Sequence, residues 1–147
     1  MTFDEIYATY CKMVFNLALH YVQNTEDAEE VTQDVFVKVF EKMNTFKNSS
    51  SIKTWIYRIA INQSLDFIKS RNTKKRLFSI SFLGISTKKT SSEPINFNHP
   101  GIELEQKEAT KNIFKAINQL SDNQKTAIIL LKIEGKSQNE TAEIMNI

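Results

Sequence analysis

Apolar residues recur at steps of three and four through residues 3–21, and this spacing predicts one amphipathic helix. A second helix is predicted to begin at Asn24 or Thr25, because either side chain can cap it and acidic residues follow in its first turn. Its apolar face repeats at the same spacing as far as Met43. The beginning of the chain therefore predicts two long helices with one short connection.

A polar loop, NTFKNSSS at residues 44–51, separates the second helix from a third one. Ser50 or Ser51 is placed to cap that third helix, which is predicted to end within residues 69–76. The helix has two different faces. The apolar face comprises Ile52, Trp55, Ile56, Ile59, Ala60, Gln63 and Phe67, and the polar face comprises Arg58, Asn62 and Asp66.

The helical pattern stops at residues 78–103, where serine, threonine, asparagine and both prolines gather. A segment of this length without helical periodicity is unusual inside one domain. It therefore predicts a flexible linker between two small helical domains, residues 1–77 and 104–147. Apolar residues are predicted to anchor the linker, namely Phe78, Ile80, Phe82, Leu83 and Ile85.

The last segment predicts short helices with clear start and stop signals. Ser121 and Gln124 form a Ser-x-x-Gln capping box, and Gly135 is placed to end the following helix in a left-handed cap. Ser137 and Glu140 repeat the box, so the order of elements is typical of the first half of a helix-turn-helix. The helix that precedes them is predicted to bury Leu104, Ala109, Ile113, Ala116, Ile117 and Leu120.

Composition excludes several classes of protein. Hydrophobic residues make up 41% of the chain, enough for a folded core, yet no apolar run reaches the roughly 20 residues of a membrane helix. With Cys11 as the single cysteine and acids near the N-terminus, a cytoplasmic protein is expected. His20 and His99 are far apart and the glycines are scattered, so neither a metal site nor a cofactor loop is predicted.

Charge is divided along the chain although the net charge is only +2. Residues 1–50 hold eight acidic and four basic residues, a net charge of −4. Residues 51–80 hold seven basic residues and one acid, a net charge of +6. This asymmetry predicts two different partners, one of which is a polyanion.

The segment TWIYRIAINQSLDFIKSR, residues 54–71, combines aromatic, asparagine and basic residues on one helix. Aromatic rings stack on unpaired bases, arginine and lysine bind phosphates, and asparagine reads base edges. The combination favours binding of single-stranded DNA. A core helix with a solvated charged face is the alternative, and for Trp55 taken alone it is the better interpretation.

The stretches DAEEVTQDVFVKVFEKMNTFK and IKTWIYRIAINQSLDFIKSR resemble the region-two domain of bacterial extracytoplasmic-function (ECF) sigma factors of the sigma-70 family. INQLSDNQKTAIILLKIEGKSQNETAEIMNI is similar to the start of their region-four domain. The resemblance covers nearly the whole chain and implies an all-α protein. It implies a region-two bundle at residues 1–77, a linker at 78–103 and a partial helix-turn-helix region-four domain at 104–147.

The resemblance implies a transcription initiation factor that is not an enzyme and uses no cofactor or metal. Its partners would be core RNA polymerase, promoter DNA melted at the −10 element and an anti-sigma factor. The free protein would be a monomer that does not insert into membranes. The residues matching the helix that docks on the clamp helices of the polymerase are Glu30, Gln33, Asp34, Phe36 and Phe40.

The same resemblance assigns DNA contacts to the loop and the third helix. The loop 44–51 matches the segment that captures a flipped-out base of the −10 element. Lys74, Lys75 and Arg76 are expected to contact phosphate or polymerase. The DNA-binding residues implied on the third helix are Lys53, Thr54, Trp55, Arg58, Ile59, Asn62, Gln63, Lys69 and Arg71.

One departure from the family pattern concerns the end of the chain. Family members continue with a recognition helix that reads the −35 element, whereas this sequence stops at Ile147, so a chain truncated within region four is expected. Two alternatives remain open. One is a helix-turn-helix DNA-binding regulator that acts without polymerase. The other is an interaction-only form that binds polymerase or an anti-sigma factor without supporting transcription.

Overall fold

The computed structural model describes the backbone of residues 1–81 and 104–147, and the side chains of residues 1–77 and 108–147. Over these residues the chain is helical, without strands, which confirms the all-α fold predicted above. The helices are α1 (Phe3–Val22), α2 (Thr25–Lys42), α3 (Ile52–Ser81), α4 (Leu104–Ile117), α5 (Asp122–Ile128) and α6 (Gln138–Met145). A 3-10 turn (Met43–Thr45) follows α2, and a π-helical turn (Ile129–Ile133) continues α5.

Local signals set most of the helix ends. The Asn24 side chain accepts hydrogen bonds from the Glu26 and Asp27 amides at 2.9 and 3.2 Å, so Asn24 rather than Thr25 caps α2. The reciprocal box of Ser121 and Gln124 starts α5 as predicted.

Gly135 lies at φ +69° just beyond the π-helical turn. The next amide, that of Lys136, donates to the Leu130 carbonyl at 2.9 Å, which closes the left-handed cap that the sequence predicted. Ser137 caps α6 through its side chain, which accepts from the Glu140 amide at 3.1 Å.

α3 is longer than predicted. It was expected to end within residues 69–76, but it continues to Ser81 and so includes the first four residues of the predicted linker. Residues 69–81 hold no glycine or proline, and lysine and arginine are good helix formers, so nothing local stops the helix. The predicted anchors Phe82, Leu83 and Ile85 lie outside the described residues.

In α3 and α4 the buried side of the helix differs from the side that the sequence predicted. In α3 the buried face runs through Ile56, Tyr57, Ala60, Ile61 and Ser64, while Trp55, Gln63 and Phe67 are only half-buried. In α4 Phe114 and Ile117 point inward, whereas Ile113 is 57% exposed and Ala109 and Ala116 are also exposed. The spacing of apolar residues predicts that a helix forms. Which of its sides is buried depends on the helix that packs against it, and the spacing does not show that.

The core lies where α1, α2 and α3 pack on one another. Its fully buried residues include Val14, Leu17, Val35, Val39 and Ile56. Ile129, Leu130 and Ile144 join the same apolar cluster. The residues after 104 therefore pack against the three-helix bundle, and the division into two domains stays a prediction.

Candidate nucleic-acid and protein interfaces

The loop between the 3-10 turn and α3 is fixed by the cap of α3. The Ser51 hydroxyl accepts from the Thr54 amide at 3.1 Å and donates to the Thr54 hydroxyl at 3.0 Å. Thr54 is 9% exposed, so this predicted DNA contact supports the start of α3 from inside. Asn48 takes a left-handed conformation at φ +54°, which asparagine tolerates better than most residues.

A cleft of about 460 Å³ opens between this loop and the starts of α1 and α3. The Phe46 and Trp55 rings line it with their centroids 4.8 Å apart, tilted by 34°. Hydroxyl and amide groups complete the wall, so the cleft combines flat apolar surface with hydrogen-bonding groups. A planar unpaired base needs both kinds of contact. The lining residues are Met1, Ile6, Met43, Phe46, Asn48, Ser50, Ser51, Ile52 and Trp55.

The predicted DNA-binding residues at the start and middle of α3 differ in exposure. Lys53 and Asn62 are exposed, and Ile59 and Gln63 are half-buried. Arg58 is half-buried and has partners within the chain: its Nε donates to the Ile144 carbonyl at 3.1 Å and its Nη2 donates to the Glu143 carbonyl at 2.5 Å. The guanidinium thus binds the last turn of α6, which covers this part of the predicted DNA-binding face.

The two predicted DNA contacts near the end of α3 also have partners inside the chain. Lys69 Nζ lies 3.2 Å from Asp122 Oδ2 of α5, and both side chains are at least half exposed. Arg71 Nη1 lies 3.0 Å from Asp27 Oδ2, and its guanidinium carbon lies 5.9 Å from the centre of the Phe67 ring. The Nε atom of Arg71 is buried without a hydrogen-bond partner.

Two lysines after residue 104 lie against cations of α3. Lys125 is 5% exposed, and its Nζ lies 5.5 Å from the centre of the Tyr21 ring. Burial, and next the charge of Arg71, lower the pKa of Lys125.

Lys136 lies over the Tyr57 ring, with 5.0 Å between its Nζ and the ring centre. Burial, followed by the charge of Lys53, lowers the pKa of Lys136. Burial also raises the pKa of Tyr57 to about 12. Both lysines therefore keep their protons less readily than a solvated lysine does.

α2 presents an acidic face to solvent. Glu30, Gln33 and Asp34 of the predicted polymerase-binding set are exposed, and Phe40 is 62% exposed. Phe36, which belongs to the same predicted set, is only 3% exposed, so its ring is not available for direct contact with a partner. Val37 is 56% exposed and shares the face, because it lies three residues after Asp34 and three before Phe40.

Aromatic side chains of α1 extend this face. The rings of Phe3 and Phe40 meet edge to face with centroids 5.3 Å apart, and Tyr7 meets Phe36 at 4.8 Å. Tyr7 is 46% exposed, although it belongs to the apolar repeat of residues 3–21 that predicted α1. A spacing rule cannot distinguish the edge of an apolar face from its centre.

The contact between the two ends of the chain has no signal in the sequence. The Tyr21 hydroxyl and the Thr126 hydroxyl are 2.6 Å apart in a buried hydrogen bond. His20 Nδ1 lies 3.1 Å from Glu134 Oε1, and the amides of Gln23 and Asn118 exchange two hydrogen bonds at 3.1 and 3.2 Å.

Within the described ranges, no group of three or more histidine, cysteine, aspartate or glutamate side chains is arranged to hold a metal ion. Among the helices that the structure describes, none has the length and apolarity needed to cross a membrane.

In a comparison with known protein families, residues 6–74 match sigma-70 region 2. The matched range covers most of α1, all of α2, the loop and most of α3. It therefore contains most residues of both candidate interfaces described above.

Curated relatives match over almost the whole chain. The ECF RNA polymerase sigma-E factor of Haemophilus influenzae is 27% identical over 144 residues, which are 98% of this chain and 76% of that protein. The ECF RNA polymerase sigma factor SigX of Bacillus subtilis is 28% identical over 144 residues, covering 98% of this chain and 72% of the relative.

Two solved structures share the fold. The sigma factor RpoE in complex with the anti-sigma factor NepR, from Bartonella quintana, superposes with a TM-score of 0.62 at 23% identity, over 98% of this chain and 82% of that one. CnrH in complex with the cytosolic domain of CnrY gives 0.61 at 17% identity, over 99% and 73% of the two chains.

Proposed function

The chain belongs to the ECF group of the sigma-70 family, and on this premise we propose that it is a transcription initiation factor that binds core RNA polymerase and melts the −10 promoter element. The observation that carries the proposal is the exposed acidic face of α2, since it lies within the matched region-two range and offers both charge and apolar surface. It acts as a binding factor, not as an enzyme.

Core RNA polymerase docks on the face formed by Glu30, Gln33, Asp34, Val37 and Phe40. Carboxylates on such a face select a basic partner and speed its association. Exposed apolar residues among them supply the surface whose burial stabilises the complex. Phe36 acts beneath this face by holding α2 against α1, with its ring 4.8 Å from Tyr7.

Promoter DNA binds at the cleft and along α3. A base flipped out of the −10 element enters the cleft lined by Phe46 and Trp55. Stacking there contributes about 1–3 kcal/mol per base, which offsets the few kcal/mol that flipping costs. Lys53 and Asn62 are exposed beside it and contact the strand. The melted state is trapped by binding energy alone.

An anti-sigma factor is a further partner in this proposal. The sigma factor RpoE was solved in complex with the anti-sigma factor NepR, and CnrH was solved in complex with the cytosolic domain of CnrY. A polymerase-independent DNA-binding regulator would bind promoter DNA without needing the acidic face of α2. An interaction-only form would bind polymerase without opening a promoter.

The test is a pull-down of bacterial core RNA polymerase with the full chain and with Asp34→Arg. Glu108→Arg is the matched control, because it makes the same change of charge at an exposed position on α4. We expect Asp34→Arg to lose at least about tenfold in affinity, as a reversed charge at a close pair costs about 1.4 kcal/mol or more. Equal retention of all three proteins, or no binding by the unchanged chain, would reject the docking surface.

A further inference from the structure

The amine of Lys136 is held in one place between the π-helical turn and α6. The backbone amide of Lys136 donates to the Leu130 carbonyl at 2.9 Å, which fixes the point from which the side chain extends. The side chain is 14% exposed, and Nζ lies 5.0 Å from the centre of the Tyr57 ring. Most lysines keep the ammonium group in water. Here the amine lies against a ring and is only partly open to solvent.

A second ammonium group lies beside this amine. Lys53, on the first turn of α3, is exposed, and its side chain meets that of Lys136. Burial, followed by the charge of Lys53 and the contact with its side chain, lowers the pKa of Lys136. Two like charges in contact repel each other, and the less solvated of the two gives up its proton more readily. A lysine that is desolvated or lies next to another cation is thereby activated as a nucleophile.

Three neighbouring groups favour the charged form of Lys136. Glu140 Oε2 of α6 lies 3.9 Å from Nζ, with its side chain 58% exposed. Glu134 is a second nearby carboxylate and is itself 3.1 Å from His20. The face of the Tyr57 ring also attracts a cation. The two carboxylates raise the pKa of Lys136 by less than burial and the neighbouring cation lower it.

We propose that Lys136 is a site of acylation by acyl phosphates, and that Lys53 attracts the phosphate group of the donor to it. The lone pair of Nζ attacks the acyl carbon, and the bond between that carbon and the phosphate oxygen breaks. The electron pair leaves with the phosphate, which also receives the proton that Nζ loses. The product is a neutral amide, so the chain loses one positive charge beside Lys53. This modification goes beyond the proposed function and does not depend on it.

The first measurement is the rate at which acetyl phosphate acetylates each lysine of the full chain at mildly alkaline pH, followed by mass spectrometry of the digested protein. Lys132 is the control within the same molecule, because it is exposed on the same π-helical turn. We expect Lys136 to react about fivefold faster than Lys132, since a like charge at close range favours the neutral amine by about that factor. A rate at or below that of Lys132 would overturn the proposal.

Two variants should change the rate in opposite directions. Lys53→Met removes the neighbouring cation and should slow the acetylation of Lys136 about fivefold. Glu140→Gln removes the carboxylate that favours the charged amine, but it keeps the backbone amide that caps α6. It should speed the reaction about two- to fivefold, as expected for a half-exposed pair. An unchanged rate at Lys136 in Lys53→Met would contradict the role of the cation pair.

Controls separate this local effect from a change in the fold or in net charge. Lys115→Met removes one positive charge at an exposed position on α4 and should leave the rate at Lys136 unchanged. Lys132 should react at the same rate in all four proteins, and circular dichroism should show equal helix content. A slower reaction at Lys136 in Lys115→Met would assign the effect to net charge and reject the site.

A neutral reagent tests the class of donor. Acetic anhydride reacts with the same amine but carries no phosphate for Lys53 to attract. We expect the ratio of the rates at Lys136 and Lys132 to be larger with acetyl phosphate than with acetic anhydride, and this difference to disappear in Lys53→Met. Equal ratios for the two reagents in the unchanged chain would overturn acyl phosphates as the donors.

Discussion

Arg71 and Asp27 form an ion pair between the second half of α3 and the start of α2, with Nη1 and Oδ2 3.0 Å apart and the two side chains 34% and 25% exposed. The same nitrogen lies 3.5 Å from the Val22 carbonyl at the end of α1. One guanidinium thus ties together three helices of the bundle. The resemblance to ECF sigma factors also assigns Arg71 to DNA binding, and that role stays a prediction beside this structural one.

Replacing Asp27 by asparagine should destabilise the bundle. Asp27→Asn keeps the shape of the side chain but leaves the half-buried charge of Arg71, whose Nε already lacks a partner, without its counter-charge. We expect the free energy of unfolding in urea to fall by about 1.5–3 kcal/mol. Glu26→Gln makes the same charge change one residue earlier at an exposed position and should stay within about 0.5 kcal/mol. Similar losses in the two variants would show that the ion pair contributes little.

Truncation of Phe36 should mainly affect stability, whereas truncation of Phe40 should mainly affect the binding of polymerase. Phe36→Ala removes a buried ring and is expected to lower the free energy of unfolding by about 3–5 kcal/mol. Phe40→Ala loses only its edge contact with Phe3, worth about 0.5–1.5 kcal/mol, but should weaken the binding of core polymerase. Chemical denaturation and polymerase pull-down of both variants separate the two roles. Unchanged polymerase binding by Phe40→Ala would remove that ring from the docking face.

Gly135 is needed for its backbone conformation. A Cβ added there would meet nothing within 4 Å, so the only obstacle to a side chain is its φ of +69°. Gly135→Ala is expected to lower the free energy of unfolding, measured in urea, by about 1 kcal/mol. This is the cost of the left-handed conformation for a residue with a Cβ. Gly135→Asn should cost less, because asparagine visits this region more readily. A larger loss for asparagine than for alanine would point to a steric cause instead.

Alkaline pH should weaken the fold through Tyr21. Burial raises the pKa of Tyr21, while its hydrogen bond to Thr126 lowers it to a smaller extent. The neutral phenol therefore contributes stability that is fully present below the unfolded pKa of about 10 and is lost as pH rises from there toward the higher folded pKa.

Urea unfolding of the unchanged chain and of Tyr21→Phe at several pH values from about 9 to 11.5 checks this. The unchanged chain should lose more stability over that range than the variant. The lowered pKa of Lys125 acts in the opposite direction but is present in both proteins, so it largely cancels in the comparison. Parallel pH profiles would mean that Tyr21 ionises as freely in the folded chain as in the unfolded one.

Features that depend on neighbours along the chain were predictable. Ser121 with Gln124, and Gly135, were identified as helix ends, and Asn24 was one of two candidates for the cap of α2, because each acts on backbone groups within a few residues of itself. The predicted end of α3 was wrong because the basic residues 69–76 were taken to end the helix. Lysine and arginine continue a helix as well as most residues do.

The sequence by itself determined an all-helical chain, most of the helix ends and an acidic α2 followed by a basic α3, since these follow from residue type and spacing. Only the tertiary structure decided that Phe36 is buried while Phe40 is exposed, and that Arg58 lies on the carbonyls of α6. Arg58 and Ile144 are 86 positions apart. A contact over such a separation is set by how whole helices pack, and no local pattern records it.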